Sequence, residues 1–256
     1  MPAPENRFKS ALTVGKRLIG CWAGFADPYA TEILASAGFD WLLIDGEHAP
    51  NDLRSISAQL GMLAGRQSLP VVRLPMGEDW AIKQVLDAGA QTLLIPMVDR
   101  ADQARDLVRA TRYPPQGIRG SGAALARASD FSRIRDYIPT ANAQICLIVQ
   151  VESMAGIEAL DDILAVDGVD GVFIGPSDLA VDMGLVGDSD AAEVQEVIRG
   201  ALARIAASDK AAGILALDHD TARRYADWGA QFIAVGIDVV MLAQAARATL
   251  ARWRDG

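Results

Sequence analysis

The sequence predicts an α/β chain folded as one TIM (β/α)8 barrel domain over residues 1–256. Three observations predict it. Eight short apolar runs recur along the chain, amphipathic helical stretches separate them, and eight strand–helix units in about 250 residues is the size of such a barrel. The runs are continuous rather than alternating, as parallel strands covered on both faces require.

The first run, 17–23 "RLIGCWA", precedes a helix over 28–37 that begins at an Asp27 cap with Pro28 in its first turn and ends at Gly38. The second, 39–45 "FDWLLID", leads to a helix over 52–64, and the third, 69–74 "LPVVRL", to one over 79–88 closed by Gly89. The fourth, 92–98 "TLLIPMV", is followed by a helix over 100–111 and then by the one long connection, 112–143. Loops of that length in a compact domain usually serve function, so this one is expected on the face that bears the site. The remaining runs are 144–151 "QICLIVQV", 169–174 "VDGVFI", 211–217 "AAGILAL" and 231–236 "QFIAVG", with helices over 154–165, 190–207, 219–228 and 238–253. A doubly wound sheet is the alternative, but "GCWAGFADP" after the first run is not the glycine-rich turn that fold carries.

Composition narrows the function. With 24 Lys and Arg against 33 Asp and Glu, the net charge of −9 argues against a nucleic-acid surface. No apolar run approaches the roughly 20 residues of a membrane span, and the first 20 residues lack the apolar stretch of a signal peptide. A soluble cytoplasmic enzyme acting on small molecules is expected, with no nucleic-acid or membrane partner. Cys21 and Cys146 both fall in strands and read as small core residues. Only His48 and His219 can supply an imidazole.

In a barrel the chemistry lies at the carboxyl ends of the strands. There the sequence places Asp45, Glu47 and His48 after strand two, Arg73 at the end of strand three, and Gln150 and Glu152 at the end of strand five. "GPSD", ending in Asp178, follows strand six, and "LDHD", with Asp218 and His219, follows strand seven. The amino ends hold only Lys16, Arg17 and Lys210. Glu152 and Asp178 form a natural pair for a hard divalent cation; the alternative for Glu152 is a helix cap or an arginine partner. His48 is the candidate base, because His219 falls in the first turn of a helix capped by Asp218. Arg73 interrupts "PVVRLP" and reads as an anion ligand, or else as the partner of a core carboxylate. "GIRGSG" at 117–122 lacks P-loop spacing and is a weak phosphate signal. None of the four lysines, Lys9, Lys16, Lys83 and Lys210, falls in a strand interior or at a carboxyl end, so an imine mechanism is not expected.

The stretches "FDWLLIDGEHAPND", "LIPMV", "RYPPQGIRGSGAALARASDF", "GVDGVFIGPSDLAVDMG" and "FIAVGID" resemble the HpcH/HpaI family of metal-dependent class II pyruvate aldolases. The resemblance covers nearly the whole chain. It implies a barrel whose C-terminal helix is exchanged between subunits, in a hexamer built as a dimer of trimers. It implies reversible cleavage of 4-hydroxy-2-oxo acids to pyruvate or hydroxypyruvate plus an aldehyde, through a metal-stabilised enolate, as in aromatic degradation. Glu152 and Asp178 would bind the metal, which two carboxylates do not restrict among Mg, Mn, Co, Ni and Zn. Gln150, Gly175, Ser177 and Asp178 would contact the keto acid, Trp22 and Leu215 would line the pocket, and Arg73 would stabilise the transition state. His48 would be the base, made more basic by Asp87. Ser177 stands where an Ala is usual, "RLPMGEDW" departs from the usual stretch, and His219 replaces an uncharged residue; all three touch the rim where the aldehyde is selected. The alternatives are a lyase of CoA thioesters of the malyl- or citryl-CoA type, for which no basic cradle stands out, and a non-catalytic keto-acid-binding barrel.

Overall fold

The computed structural model describes residues 1–254. Eight parallel strands close into a barrel in sequence order: β1 (Leu18–Ala23), β2 (Trp41–Asp45), β3 (Leu69–Arg73), β4 (Thr92–Ile95), β5 (Cys146–Val151), β6 (Gly171–Ile174), β7 (Ala211–Leu215) and β8 (Phe232–Ile237), with β8 pairing back onto β1. The helices are α1 (Arg7–Thr13), α2 (Pro28–Ser36), α3 (Leu53–Leu63), α4 (Asp79–Asp87), α5 (Ala101–Thr111), α6 (Tyr137–Ala141), α7 (Met154–Glu158), α8 (Leu160–Leu164), α9 (Pro176–Asp182), α10 (Ala192–Ala206), α11 (His219–Asp227) and α12 (Asp238–Arg254).

The caps are those the sequence shows. Asp27 accepts from the backbone N–H groups of Tyr29 and Ala30 at the head of α2, Asp52 and Ser55 form a reciprocal capping box on α3, and Asp218 accepts from Thr221 N on α11. Three elements differ from expectation. The helix predicted over 154–165 breaks at Ala159 into α7 and α8. α9 forms inside "GPSDLAVDMG", directly after β6. α1 turns across the amino end of the barrel, where Phe8 and Leu12 join Trp41, Phe173 and Phe232 in an aromatic plug. A larger apolar layer lies between strands and helices, with Ile44, Val72, Leu93, Val149 and Ile174 fully buried.

The long connection corrects an expectation. It follows α5, the helix expected over 100–111, and that helix returns the chain to the amino end of the barrel before the next strand. Residues 112–143 accordingly pack against the N-terminal segment, with Ala3 N donating to Thr140 Oγ1 at 2.8 Å and Asn6 N to Gln144 Oε1 at 2.8 Å. That is the face opposite the carboxyl-end rim.

Candidate active site

β2 and β3 pair in register so that Asp45 sits beside Arg73. Arg73 donates through Nε to Asp45 Oδ1 at 2.9 Å and through Nη2 to Asp45 Oδ2 at 2.7 Å, a bidentate pair with both side chains no more than 7 % exposed. Asp45 Oδ1 also accepts from Glu47 N at 3.0 Å and His48 N at 3.4 Å, so one carboxylate fixes both the arginine and the loop that carries the imidazole. Burial alone would push the Asp45 carboxyl up. The hydrogen bonds and charge of Arg73 outweigh that and hold it below the ordinary range.

Glu47 turns in as well. Its Oε2 lies 2.7 Å from Arg73 Nη1, an ion pair without hydrogen-bond geometry, and 3.9 Å from His48 Nε2, beyond hydrogen-bond reach. Burial raises the Glu47 carboxyl despite Arg73. His48 is open to solvent. Trp22 forms the floor, with the Arg73 guanidinium 5.5 Å from its ring centroid, and half-buried Leu215 ends β7 on the same rim.

Glu152, one residue beyond β5, is buried. It caps no helix, because Ser153 is the α7 cap, and no arginine pairs with it among the described residues. Its oxygens accept from Met97 N at 2.9 Å and from Gln150 Nε2. Met97 adopts a left-handed backbone, φ 56°, which turns that N–H inward after β4. Burial raises the Glu152 carboxyl to about 7, against those hydrogen bonds and with added repulsion from Asp178 and Glu47. Gln150 Oε1 is buried with no partner in the chain. Gly175, just after β6, presses on the same acid: a Cβ there would lie 2.6 Å from Glu152 Oε2. Ser177 and Asp178 follow, exposed, at the head of α9.

These residues fit a divalent cation. Glu47, Glu152 and Asp178 are close enough for each charge to act on the others, and a buried acid beside an unpaired amide oxygen offers hard oxygen donors. Among the described residues no group of three or more His, Cys, Asp or Glu is arranged to hold a metal ion, so a cation here would rest on fewer protein ligands, with Glu152 and Asp178 as the candidates.

One expected member is elsewhere. Asp87 is the last residue of α4, which descends from the β3 rim to the amino end, and its Oδ1 accepts from Arg119 Nη2 at 2.7 Å. His48 stands beyond the opposite end of a five-residue strand, about 15 Å away at ~3.3 Å per residue. The two do not meet within one chain, because a barrel helix ends where the next strand begins. His219 sits exposed in the first turn of α11. Asp45 and Glu47 were visible in the sequence only as rim acids. Their bonds to Arg73 depend on the β2–β3 register.

A closed parallel barrel that gathers an arginine, an imidazole and several carboxylates at its carboxyl-end rim has the arrangement of a barrel enzyme. The profile of the HpcH/HpaI aldolase/citrate lyase family matches residues 18–245. The chain is 76 % identical over 254 residues, 99 % of each chain, to the hydroxypyruvate/pyruvate aldolase of Roseovarius nubinhibens. It is 53 % identical over 249 residues, 97 % of this chain and 95 % of the other, to the 4-hydroxy-2-oxo-heptane-1,7-dioate aldolase of Escherichia coli. The crystal structure of an HpcH/HpaI aldolase/citrate lyase family protein from Burkholderia cenocepacia superposes with a TM-score of 0.93 at 42 % identity, covering 97 % of this chain and 99 % of that one. This chain belongs to the HpcH/HpaI aldolase/citrate lyase family.

Proposed function

We propose that this aldolase reversibly cleaves 4-hydroxy-2-oxo acids between C3 and C4, releasing pyruvate or hydroxypyruvate and an aldehyde. The observation that carries the reading is buried Glu152, flanked by Asp178 and Glu47 and with no cation of its own, at a rim that also holds Arg73 and His48. Its relatives' names add the donor pair. Glu152 and Asp178 would hold a divalent metal ion, one of Mg, Mn, Co, Ni or Zn, which when bound supplies Lewis-acid polarisation of the keto acid.

Arg73 supplies a preorganised cation. Asp45 fixes its Nε and Nη2 and Glu47 lies against Nη1, so the guanidinium is held in place at the rim where negative charge develops on the ligand oxygen. His48 takes the C4 hydroxyl proton in cleavage and a C3 proton of the donor in the synthetic direction. Gln150, Gly175, Ser177 and Asp178 line the keto-acid end, and Trp22 and Leu215 form the apolar wall. Asp87 makes His48 more basic only from a neighbouring subunit, since the chain's own Asp87 lies at the far end.

Assembly follows from the same surfaces. α12 buries only Asp238, which accepts from Gly24 N and Phe25 N, while Val239, Met241, Leu242, Leu250 and Trp253 stay exposed. A helix that meets its own barrel only at its first turns, beside β1 and β8, and leaves these apolar side chains exposed suits exchange onto another subunit, in the hexameric dimer of trimers. Among the described residues no helix is long and apolar enough to cross a membrane.

The test is proton exchange at the methyl group of pyruvate in D2O, followed by NMR, on metal-stripped protein and again with Mn²⁺ or Mg²⁺ restored. Exchange only with metal is expected. Absence of exchange in metal-loaded protein that binds pyruvate overturns the reading. His48→Ala is expected to abolish exchange and His219→Ala to leave it, and the reverse result means the other imidazole is the base.

A further inference from the structure

We propose that Arg119 is a positioning residue for the reaction: it locks the carboxylate of Asp87 in the orientation that meets the imidazole of a neighbouring subunit's His48. The inference rests on the cross-subunit role of Asp87 given above.

Arg119 lies in the long connection, in the "GIRGSG" stretch that carries no phosphate-loop spacing. Its side chain is 0 % exposed. Its guanidinium carbon lies 4.4 Å from the Tyr113 ring centroid and 5.9 Å from that of Tyr137. Its backbone is clamped to the end of α5, with Arg119 N donating to Arg112 O at 2.9 Å and Ile118 N to Arg109 O at 2.9 Å. Gly117 has no room for a Cβ there, which would fall 2.2 Å from Arg109 O. A cation held this firmly has little freedom to follow its partner, so the partner must conform to it.

That partner is the carboxylate of Asp87. Nη2 donates to Asp87 Oδ1 at 2.7 Å, while Nε and Nη1 are buried beside the Tyr113 and Tyr137 rings with no hydrogen bond of good geometry among the described residues. A buried guanidinium with two orphaned nitrogens is a poor stabilising device, and an apolar side chain would fill the space between two tyrosines at lower cost. The arrangement does achieve orientation. Oδ1 is tied inward, and Oδ2 is left toward Gly122 and solvent, on a side chain 25 % exposed. His48, at the other end of the molecule, is 69 % exposed, and its imidazole lies 3.9 Å from Glu47 Oε2. Each group lacks the partner that the other, on a second chain, supplies.

Other charged groups flank both members. Lys83 lies one turn earlier on α4, its side chain against Gly120, and Arg127 reaches Gly89 across the end of α4. The Tyr113 and Tyr137 phenols face Arg119. On the imidazole side stand Glu47, Arg73 and Asp45. Without Arg119, Asp87 is free to turn to Lys83, an i, i+4 neighbour on its own helix.

The experiment is the pH profile of metal-saturated pyruvate proton exchange for the wild type, Asp87→Asn, Arg119→Met and the double variant, with assembly checked by sedimentation. A carboxylate beside an imidazole raises its pKa. Asp87→Asn is therefore expected to move the acidic limb down by about half a pH unit or more, with a roughly tenfold loss of rate as for other partners that orient histidines. Arg119→Met is expected to move the limb the same way, the double variant to match Asp87→Asn, and Arg119→Lys to restore part of the profile. A limb that stays in place or moves up in Arg119→Met, while Asp87→Asn moves it down, overturns the role of Arg119. A limb unmoved by Asp87→Asn overturns the pairing with His48 itself. If Arg119→Met fails to assemble, Arg119→Gln, which keeps an N–H donor on a shorter, uncharged side chain, is judged by the same limb. In a His219→Asn background the single remaining imidazole is also titrated directly by NMR.

Discussion

Asp45→Asn removes one charge from the buried pair that fixes Arg73. The asparagine keeps an oxygen for Arg73 Nε and the loop N–H groups, but it turns an NH2 toward Nη2, where the 2.7 Å bond stood. Removing one partner of a buried ion pair costs about 3–5 kcal/mol. Glu47 remains against Nη1, so the low end applies, ~3 kcal/mol. For a domain of this size that is a melting-temperature drop of about 6–12 °C. The activity loss is separate, because Arg73 no longer points where charge develops; losing a preorganised donor of this kind costs roughly 10²-fold in rate. Thermal melting and metal-saturated proton exchange read the two effects. The sign with pH is fixed: the folded Asp45 carboxyl titrates below its unfolded value, so its contribution is present above about pH 4 and disappears as pH falls through the lower folded value. A variant that melts within about 2 °C of wild type and exchanges at the same rate would refute the argument that Asp45 organises this rim.

Gly175→Ala places a Cβ 2.6 Å from Glu152 Oε2 and is expected to weaken Mn²⁺ binding by calorimetry roughly tenfold; unchanged affinity means the rim yields freely there. Metal-stripped protein is expected to lose stability as pH rises, since the Glu152 carboxyl is raised in the fold: its contribution is full below about 4.5 and gone above about 7, worth up to ~3 kcal/mol. Urea unfolding at several pH values checks this, and Glu152→Gln should flatten the slope; a wild-type slope already flat refutes it. Leu242→Glu on the exposed face of α12 is expected to dissociate the assembly in sedimentation velocity without unfolding the barrel, and an intact oligomer would show that this face is not the exchanged surface.

The sequence by itself determined the barrel and the identity of its rim. Continuous apolar runs announce strands covered on both faces, and Asp27 and Asp218 announce helix starts, because caps are local chemistry that needs no tertiary partner. Arg73, His48, Glu152 and Asp178 were legible because the ends of predicted strands are where a barrel gathers polar groups. Resemblance to a known family added Asp87 and the pocket walls. What only the tertiary structure decided was pairing. The bond between Asp45 and Arg73 depends on a strand register, a relation between residues 28 apart that periodicity does not encode. The α1 plug is a seven-residue helix whose apolar face has meaning only against the barrel interior. The long connection lies on the face opposite the one its length suggests, because the helix over 100–111 has already carried the chain back, and position along the chain outweighs length and glycines. Asp87 lies at that same far end, held by Arg119. Sequence names the residues of such a site, while the distance from one end of the strands to the other decides which of them a single chain can bring together.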